Sequence, residues 1–281
     1  MSTISLKQAL IYGINELRKA GIDSARLDAE LLLGFVLHFN QEKIISNPKF
    51  KISNLKFKIF KNLISKRSKH YPIAYLTNHK EFYGLDFYIN ENVLVPRPET
   101  ELLVEEVLRF VGTRHALSLL EIGTGSGCIA LTLAKYLPQA KITASDISQK
   151  ALVVACGNRR KLKIKNVKLL KSNLLEKVKT NPDIIVANLP YLTRKELNQK
   201  SIIREPKLAL YGGKAGMEIY EKLFQQIHKK QWKNMTLFLE IGETQGKKIK
   251  NLVKKYFPYL IMETKKDLAM KERVVIIRQK S

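Results

Sequence analysis

Cysteine is scarce in this 281-residue chain, which carries only Cys128 and Cys156. The two form no CxxC pair and no spaced framework, which excludes a disulfide-stapled scaffold; both fall in apolar helical stretches and are expected to be buried thiols. The five histidines, His38, His70, His79, His115 and His228, show no metal-ligand spacing, so no metal is expected. Long hydrophobic runs are also missing. The longest is broken up around residues 31–37, far short of a bilayer span. The opening stretch MSTISLKQALIYGINELRKAGI has helical apolar spacing with an acidic residue inside it, and lacks the apolar core of a cleavable signal. A cytoplasmic protein, away from membranes, is expected.

Acidic residues are few: 25 against 50 basic ones, a net charge of +25. Such an excess fits a polyanion nearby, RNA or the ribosome. It fits equally a drift toward lysine on solvated faces, because only twelve of the basic residues are arginine, the better fork for phosphate. Hydrophobic residues at 45% and charged residues at 27% are ordinary for a globular protein and exclude a disordered chain.

What is present falls into three stretches. Residues 1–72 read as helices. Leu6, Ala9, Leu10, Ile14 and Leu17 keep a 3.6-residue period and Gly21 stops it, a second helix covers 27–37, and a third covers 55–64 after the Asn47-Pro48 break. Residues 73–96 change to alternation, KEFYGLDFYINENVLV, with turn signals at Gly84 and Asn90-Glu91-Asn92. This reads as a β-hairpin linking two domains. Residues 97–281 alternate helices (99–110, 127–136, 149–162, 217–230, 246–256) with strands (117–122, 141–145, 167–170, one ending at Ala187, 236–241). That order predicts a doubly wound α/β sheet. Two last strands, near 259–264 and 273–277, have no helix between them and should pair antiparallel.

The chemistry gathers at strand ends. SLLEIGTGSGCIAL (118–131) sets Gly123, Thr124, Gly125, Ser126 and Gly127 between a strand and a helix, where glycines let a ligand approach the backbone. The spacing is G-x-G-x-G, not the dinucleotide G-x-G-x-x-G. With acidic Glu121 before it and Asp146 ending the next strand, the loop suits a ligand with an ammonium, a ribose and no phosphate. S-adenosylmethionine is such a ligand. The stretch VANLPYLT (186–193) ends a buried strand in Asn188-Leu189-Pro190-Tyr191. Pro190 biases Leu189 toward extended geometry, so the Asn188 side-chain oxygen and the Leu189 carbonyl can offer two acceptors to the two donors of one NH2 group. Tyr191 is expected to pack on the face of that flat group. Direct methyl transfer to a nitrogen would follow, with no side-chain nucleophile.

Four segments together resemble the protein-(glutamine-N5) methyltransferases of peptide chain release factors, the HemK/PrmC family. They are NVLVPRPETELLVE (92–105), LEIGTGSGCIAL (120–131), DIIVANLPYL (183–192) and EPKLALYGGKAGMEIY (205–220). EIGETQG (240–246) and DLAMKERVVII (267–277) extend the likeness, and the PRPET run is its most specific part. The resemblance implies a seven-stranded Rossmann-like methyltransferase sheet, a small helical N-terminal domain that recognises the substrate protein, and S-adenosylmethionine as methyl donor. The acceptor it implies is the glutamine of the Gly-Gly-Gln loop of class 1 release factors. Carried over residue by residue, Gly123 to Gly127 and Asp146 bind the donor, with Asn173 and Leu174 near the adenine and Asn188 bordering it. Asn188, Leu189, Pro190 and Tyr191 hold the glutamine amide, and Arg97 and Glu99 shape its pocket. A monomer is expected. The sequence departs from the family pattern at Leu189 (usually Pro), Asn173 (usually Asp), Ala215 (Asp) and Met270 (Gly). The Leu189 and Asn173 carbonyl oxygens survive the changes, so activity is expected to be retained.

Two alternatives remain. Asn-Leu-Pro-Tyr also occurs in enzymes that methylate adenine N6 of ribosomal RNA, whose helical domain follows the sheet instead of preceding it. A decayed, non-catalytic relative that binds RNA or the ribosome would use the charge alone. A nicotinamide dehydrogenase is more distant, since no general acid sits near the crevice in sequence.

Overall fold

Ser5 and Gln8 cap the first helix of the computed structural model reciprocally. Ser5 Oγ accepts from Gln8 N at 3.2 Å and Gln8 Oε1 accepts from Ser5 N at 3.0 Å, which satisfies two helix-end donors. Residues 3–112, 117–232 and 234–279 are described. They divide into two units. One ends at His79 and takes in Gln199–Arg204; the other holds Lys80–Asn198 and continues from Glu205.

The first unit contains β1 (Thr3–Ser5), α1 (Leu6–Lys19), α2 (Ala25–Leu37), α3 (Gln41–Ser46), β2 (Lys51–Ser53), α4 (Asn54–Arg67) and α5 (Ile73–Thr77). Its core is the apolar stripe read from the sequence: Leu6, Ala9 and Leu17 meet Leu32, Leu33 and Phe60. The ring of Phe60 comes so close to Gly13 that a Cβ there would lie 2.7 Å from it. An ion pair of 2.7 Å from Arg67 Nε to Asp28 Oδ2 joins α4 to α2. An all-helical reading of this part needs correcting. β1 and β2 pair antiparallel, Ile4 opposite Ile52. The stretch read as a hairpin also begins with a helix, α5.

The hairpin itself, β3 (Lys80–Phe82) and β4 (Leu85–Phe87), lies in the second unit. Tyr83 and Gly84 both have positive φ, +50° and +70°, which suits a two-residue turn between right-twisted strands. After a single turn at Pro98–Thr100 come α6 (Glu101–Val111), β5 (Ser118–Ile122), α7 (Cys128–Tyr136), β6 (Lys141–Asp146), α8 (Gln149–Lys161) and β7 (Val167–Lys171). β8 (Ile184–Ala187), α9 (Glu218–Lys230), β9 (Thr236–Glu240), α10 (Gly246–Tyr256), β10 (Leu260–Lys266) and β11 (Glu272–Gln279) follow.

Seven of these strands form one sheet in the order β10-β11-β9-β8-β5-β6-β7. Its centre is parallel, and β11 pairs antiparallel with both β9 and β10, as the missing helix between the last two strands requires. β8 and β9 are buried along their whole length, which is why they read as unbroken apolar runs with no alternation. The chain runs β5, β6, β7 to one side and then returns to place β8 on the other. The crevice of such a sheet opens where the order reverses, outside the carboxyl ends of β5 and β8. Gly123 follows β5 there and Asn188 follows β8. Of the two thiols, Cys128 is buried but Cys156 is only half-buried, because it sits on the flank of α8. Among the described residues no helix is long and apolar enough to cross a membrane.

Candidate active site

The crevice holds a cavity of about 390 Å³, within the range of small-molecule sites. Gly123, Gly125 and Asp146 line it at one end of the glycine loop, Asn173 and Leu174 at another wall, and Asn188, Leu189 and Pro190 at a third. The topology therefore brings Gly123 and Pro190, 67 positions apart in sequence, to one cavity.

The loop has φ of +78°, +55° and +84° at Gly123, Gly125 and Gly127. Gly127 starts α7, and a Cβ on it would stand 2.9 Å from Leu131 Cδ1, so both its φ and its space demand glycine. Behind the loop, the Glu121 carboxylate accepts from the Thr124 hydroxyl and, at 3.1 Å, from Ala130 N. Glu121 is fully buried and does not line the cavity; it fastens the loop to the start of α7. Burial raises its pKa to about 7. Thr124 and Ser126 also lie behind the loop. The Ser126 carbonyl accepts from Asn158 Nδ2 at 2.9 Å.

Asp146 ends β6 and is held by two backbone donors. Its Oδ2 accepts from Gly125 N and its Oδ1 from Ser148 N, both at 2.8 Å. A carboxylate has about four lone-pair directions, so about two stay available on the cavity side. Burial moves its pKa upward. Asn173, which lines the cavity, donates its Nδ2 to Glu176 Oε1 at 2.6 Å, so its Oδ1 is left as an acceptor.

The 188–191 stretch is fixed from several elements. Asn188 Nδ2 donates to Thr100 Oγ1 at 3.2 Å. Leu189 N donates to the Tyr220 hydroxyl at 3.3 Å, and that hydroxyl donates to the Glu240 carbonyl. Gln245 Nε2 donates to the Tyr191 carbonyl at 3.0 Å and to the Gly216 carbonyl at 3.1 Å. Gly212 lies so close that a Cβ there would stand 2.4 Å from the Pro190 oxygen. Leu189 is buried to 3% exposure and held at its N–H, so packing supplies the rigidity that a pyrrolidine ring would. Among the described residues, neither Asn188 Oδ1 nor the Leu189 carbonyl receives a hydrogen bond.

Tyr191 does not line the cavity. It packs partly buried against the core of the sheet, and burial beside Glu240 pushes its phenol up to about 12. Arg97 and Glu99 do not line it either. Arg97 pairs with Glu205, whose Oε2 also accepts from Val95 N at 3.0 Å, and Glu99 is exposed. Thr100, Tyr220, Glu240 and Gln245 are the site residues that sequence reasoning missed. Each is 25 or more positions from the residue it holds; all four lay in segments singled out for the family likeness, Thr100 in 92–105, Tyr220 in 205–220, Glu240 and Gln245 in 240–246, but none was given a role. His115 lies outside the described residues; among those described, no group of three or more His, Cys, Asp or Glu side chains is placed to hold a metal ion.

Comparison with known proteins accords with this arrangement. The PrmC N-terminal domain family matches residues 8–77 and the methyltransferase small domain family matches 98–217. The release factor glutamine methyltransferase of Moorella thermoacetica is 35% identical over 274 residues, covering 96% of this chain and 97% of its own. That of Borreliella burgdorferi is 38% identical over 271 residues, covering 95% and 93%. The chain belongs to the release factor glutamine methyltransferase family. A solved methyltransferase from Pyrococcus furiosus, 24% identical with a TM-score of 0.52 over 70% of this chain and 89% of that one, shares the fold. Family membership makes the chain an S-adenosylmethionine-dependent methyltransferase.

Proposed function

We propose that this chain methylates the side-chain amide nitrogen, N5, of the glutamine in the Gly-Gly-Gln motif of class 1 peptide chain release factors. The observation that carries the reading is the pair of unengaged acceptors, Asn188 Oδ1 and the Leu189 carbonyl, at the edge of a cavity with a two-point carboxylate at its far wall. The residues present fit S-adenosylmethionine: the free lone pairs of Asp146 suit a ribose diol, Gly125 presents bare backbone, and Asn173 Oδ1 suits an adenine amine. Bound there, S-adenosylmethionine supplies a methyl group activated by its sulfonium. Gly123 and Gly127 keep the loop open to it, and Leu174 walls the adenine end.

On the acceptor side, Asn188 Oδ1 and the Leu189 carbonyl each accept one hydrogen bond from the glutamine NH2 group, and one of its two protons leaves for solvent once the methyl has moved from sulfur to nitrogen. The two acceptors orient the nitrogen lone pair and stabilise the positive charge that grows on nitrogen, an effect larger in a dry site. Holding the two reacting atoms in line is worth roughly 7–11 kcal/mol of the barrier. Pro190 stiffens this edge, and Tyr191, Arg97 and Glu99 shape it from behind. The helical unit, residues 1–72 in the sequence reading, recognises the release factor. The enzyme acts as a cytoplasmic monomer, needs no metal, and meets ribosomal polyanions weakly through its basic surface.

The test is mass spectrometry of the Gly-Gly-Gln peptide from release factor incubated with this protein and S-adenosylmethionine. One added methyl on the glutamine, lost with Asn188→Ala, is the expected result. No methyl on the peptide, with methyl incorporated into ribosomal RNA, would overturn the reading in favour of adenine N6.

A further inference from the structure

Glu240 is a charged side chain where the fold has no structural need for one. It ends β9, whose other residues, Thr236, Leu237, Phe238 and Leu239, are buried, and it is itself 2% exposed. Its Oε2 is buried with no hydrogen-bond partner among the described residues, a cost in stability that an apolar side chain would not carry. Its position is the informative part. Ala187 pairs with Leu239 in parallel register, so Asn188 and Glu240 come next, side by side on adjacent strands. Neighbours in register share a face of the sheet. Thr100, whose hydroxyl accepts from Asn188 Nδ2, is in contact with the same carboxylate.

We infer that Glu240 is a positioning residue: with Thr100 it claims the amide nitrogen of Asn188 and so turns the amide oxygen toward the acceptor. An amide group can flip by half a turn with little change of shape. Flipped, Asn188 would present two donors to a substrate nitrogen that carries two donors of its own. Once ionised, the Glu240 carboxylate has no proton to give and excludes that orientation; because burial raises its pKa to about 7, the exclusion fades as pH falls below about 7. The hydrogen bonds from Thr100 and Asn188 and the charge of Arg273 favour the ionised form against burial, which is the larger influence. Tyr220 and Gln245 fix the backbone of the same stretch but leave the amide free to turn, so the flip is decided by Glu240 and Thr100 alone among these contacts.

The inference rests on the reading of Asn188 as the acceptor-binding residue, and the tests separate the two. In the first, kcat is measured for Asn188→Ala, Glu240→Gln and the double variant. Glu240→Gln is expected to lower kcat about tenfold or more, with donor affinity by calorimetry changed less than about threefold, and to add less than about twofold once Asn188 is alanine. Independent, multiplying effects would overturn the inference. Thr100→Val, which avoids disturbing a buried charge, should behave in the same way, and Thr100→Ser should restore most of what Thr100→Val loses. A second test needs no turnover. In free protein the side-chain amide protons of Asn188 should exchange slowly by NMR, and about tenfold faster or more in Glu240→Gln; equal rates would overturn the inference. If wild-type protein fails to methylate release factor while this exchange difference is seen, the functional reading falls and the role of Glu240 in orienting Asn188 stands.

Discussion

Stability should fall as pH rises from about 5 to about 8, the reverse of the trend set by ordinary paired carboxylates. Glu121 and Glu240 are both fully enclosed, and burial raises each from 4.5 to about 7. The folded state therefore holds two protons that the unfolded chain has already released above about pH 5. Stability from each group is fully present below 4.5 and is lost as pH climbs through about 7. The gap between 4.5 and about 7 is worth about 3 kcal/mol for each group at about 1.4 kcal/mol per pH unit. His70 works the other way: burial and the nearby charges of Lys200, Arg67 and Arg204 lower its pKa, but it is partly exposed and its share is small. Urea unfolding of the donor-free protein at several pH values, followed by circular dichroism, measures the slope. Glu121→Gln removes one titrating group while keeping an acceptor for Ala130 N and the Thr124 hydroxyl, so its stability should lose about 3 kcal/mol less over the same interval. Wild-type and Glu121→Gln curves that stay parallel from about pH 5 to about pH 8 would refute the assignment of the proton to Glu121.

Three further outcomes can be measured. Tyr220→Phe leaves the buried N–H of Leu189 without an acceptor and takes one donor from the Glu240 carbonyl, so it should cost about 2–4 kcal/mol by urea unfolding and lower kcat more than donor affinity. Met270→Gly should stabilise by about 0.5–1 kcal/mol: Met270 has φ of +62° in an exposed turn, a strain glycine does not bear, partly offset by the greater freedom of glycine in the unfolded chain. Asp146→Ala should weaken S-adenosylmethionine binding at least about tenfold by calorimetry, since two hydroxyl acceptors and the tether on Gly125 N are lost together.

The sheet was legible because its strands are unusually uniform. Ile184–Ala187 and Thr236–Glu240 are buried on both faces, and the helices between them keep a clear apolar stripe. The antiparallel end could be read from a connection too short to cross over. β1 and β2 could not: three residues each, Thr3-Ile4-Ser5 and Lys51-Ile52-Ser53, give one apolar position and no alternation to detect. α5 was hidden for the same reason, five residues ending in Asn78 at positive φ. At the site, Gly123, Gly125, Asp146 and Asn188 announced themselves by ending strands, where a polar or glycine residue breaks an apolar run. Thr100, Tyr220 and Gln245 did not, because what they do depends on where α6, α9 and α10 bring them, and a threonine or tyrosine at a helix start looks the same whether or not it meets another strand's loop. Tyr191 shows the converse: its neighbours in sequence suggested a ring facing the ligand, whereas the turn after Pro190 sends it toward the core.

The contact between Leu189 and Tyr220 makes these two positions epistatic. A proline at 189 has no N–H to give, so the Tyr220 hydroxyl would keep only its bond to the Glu240 carbonyl. With leucine at 189, Tyr220→Phe strands a buried donor; with proline there, the same change removes one hydrogen bond and strands no N–H at that position. The two routes from Leu-Tyr to Pro-Phe are therefore unequal: proline first passes through a well-satisfied intermediate, phenylalanine first through a destabilised one. A chain with leucine at 189 has a reason to keep tyrosine at 220.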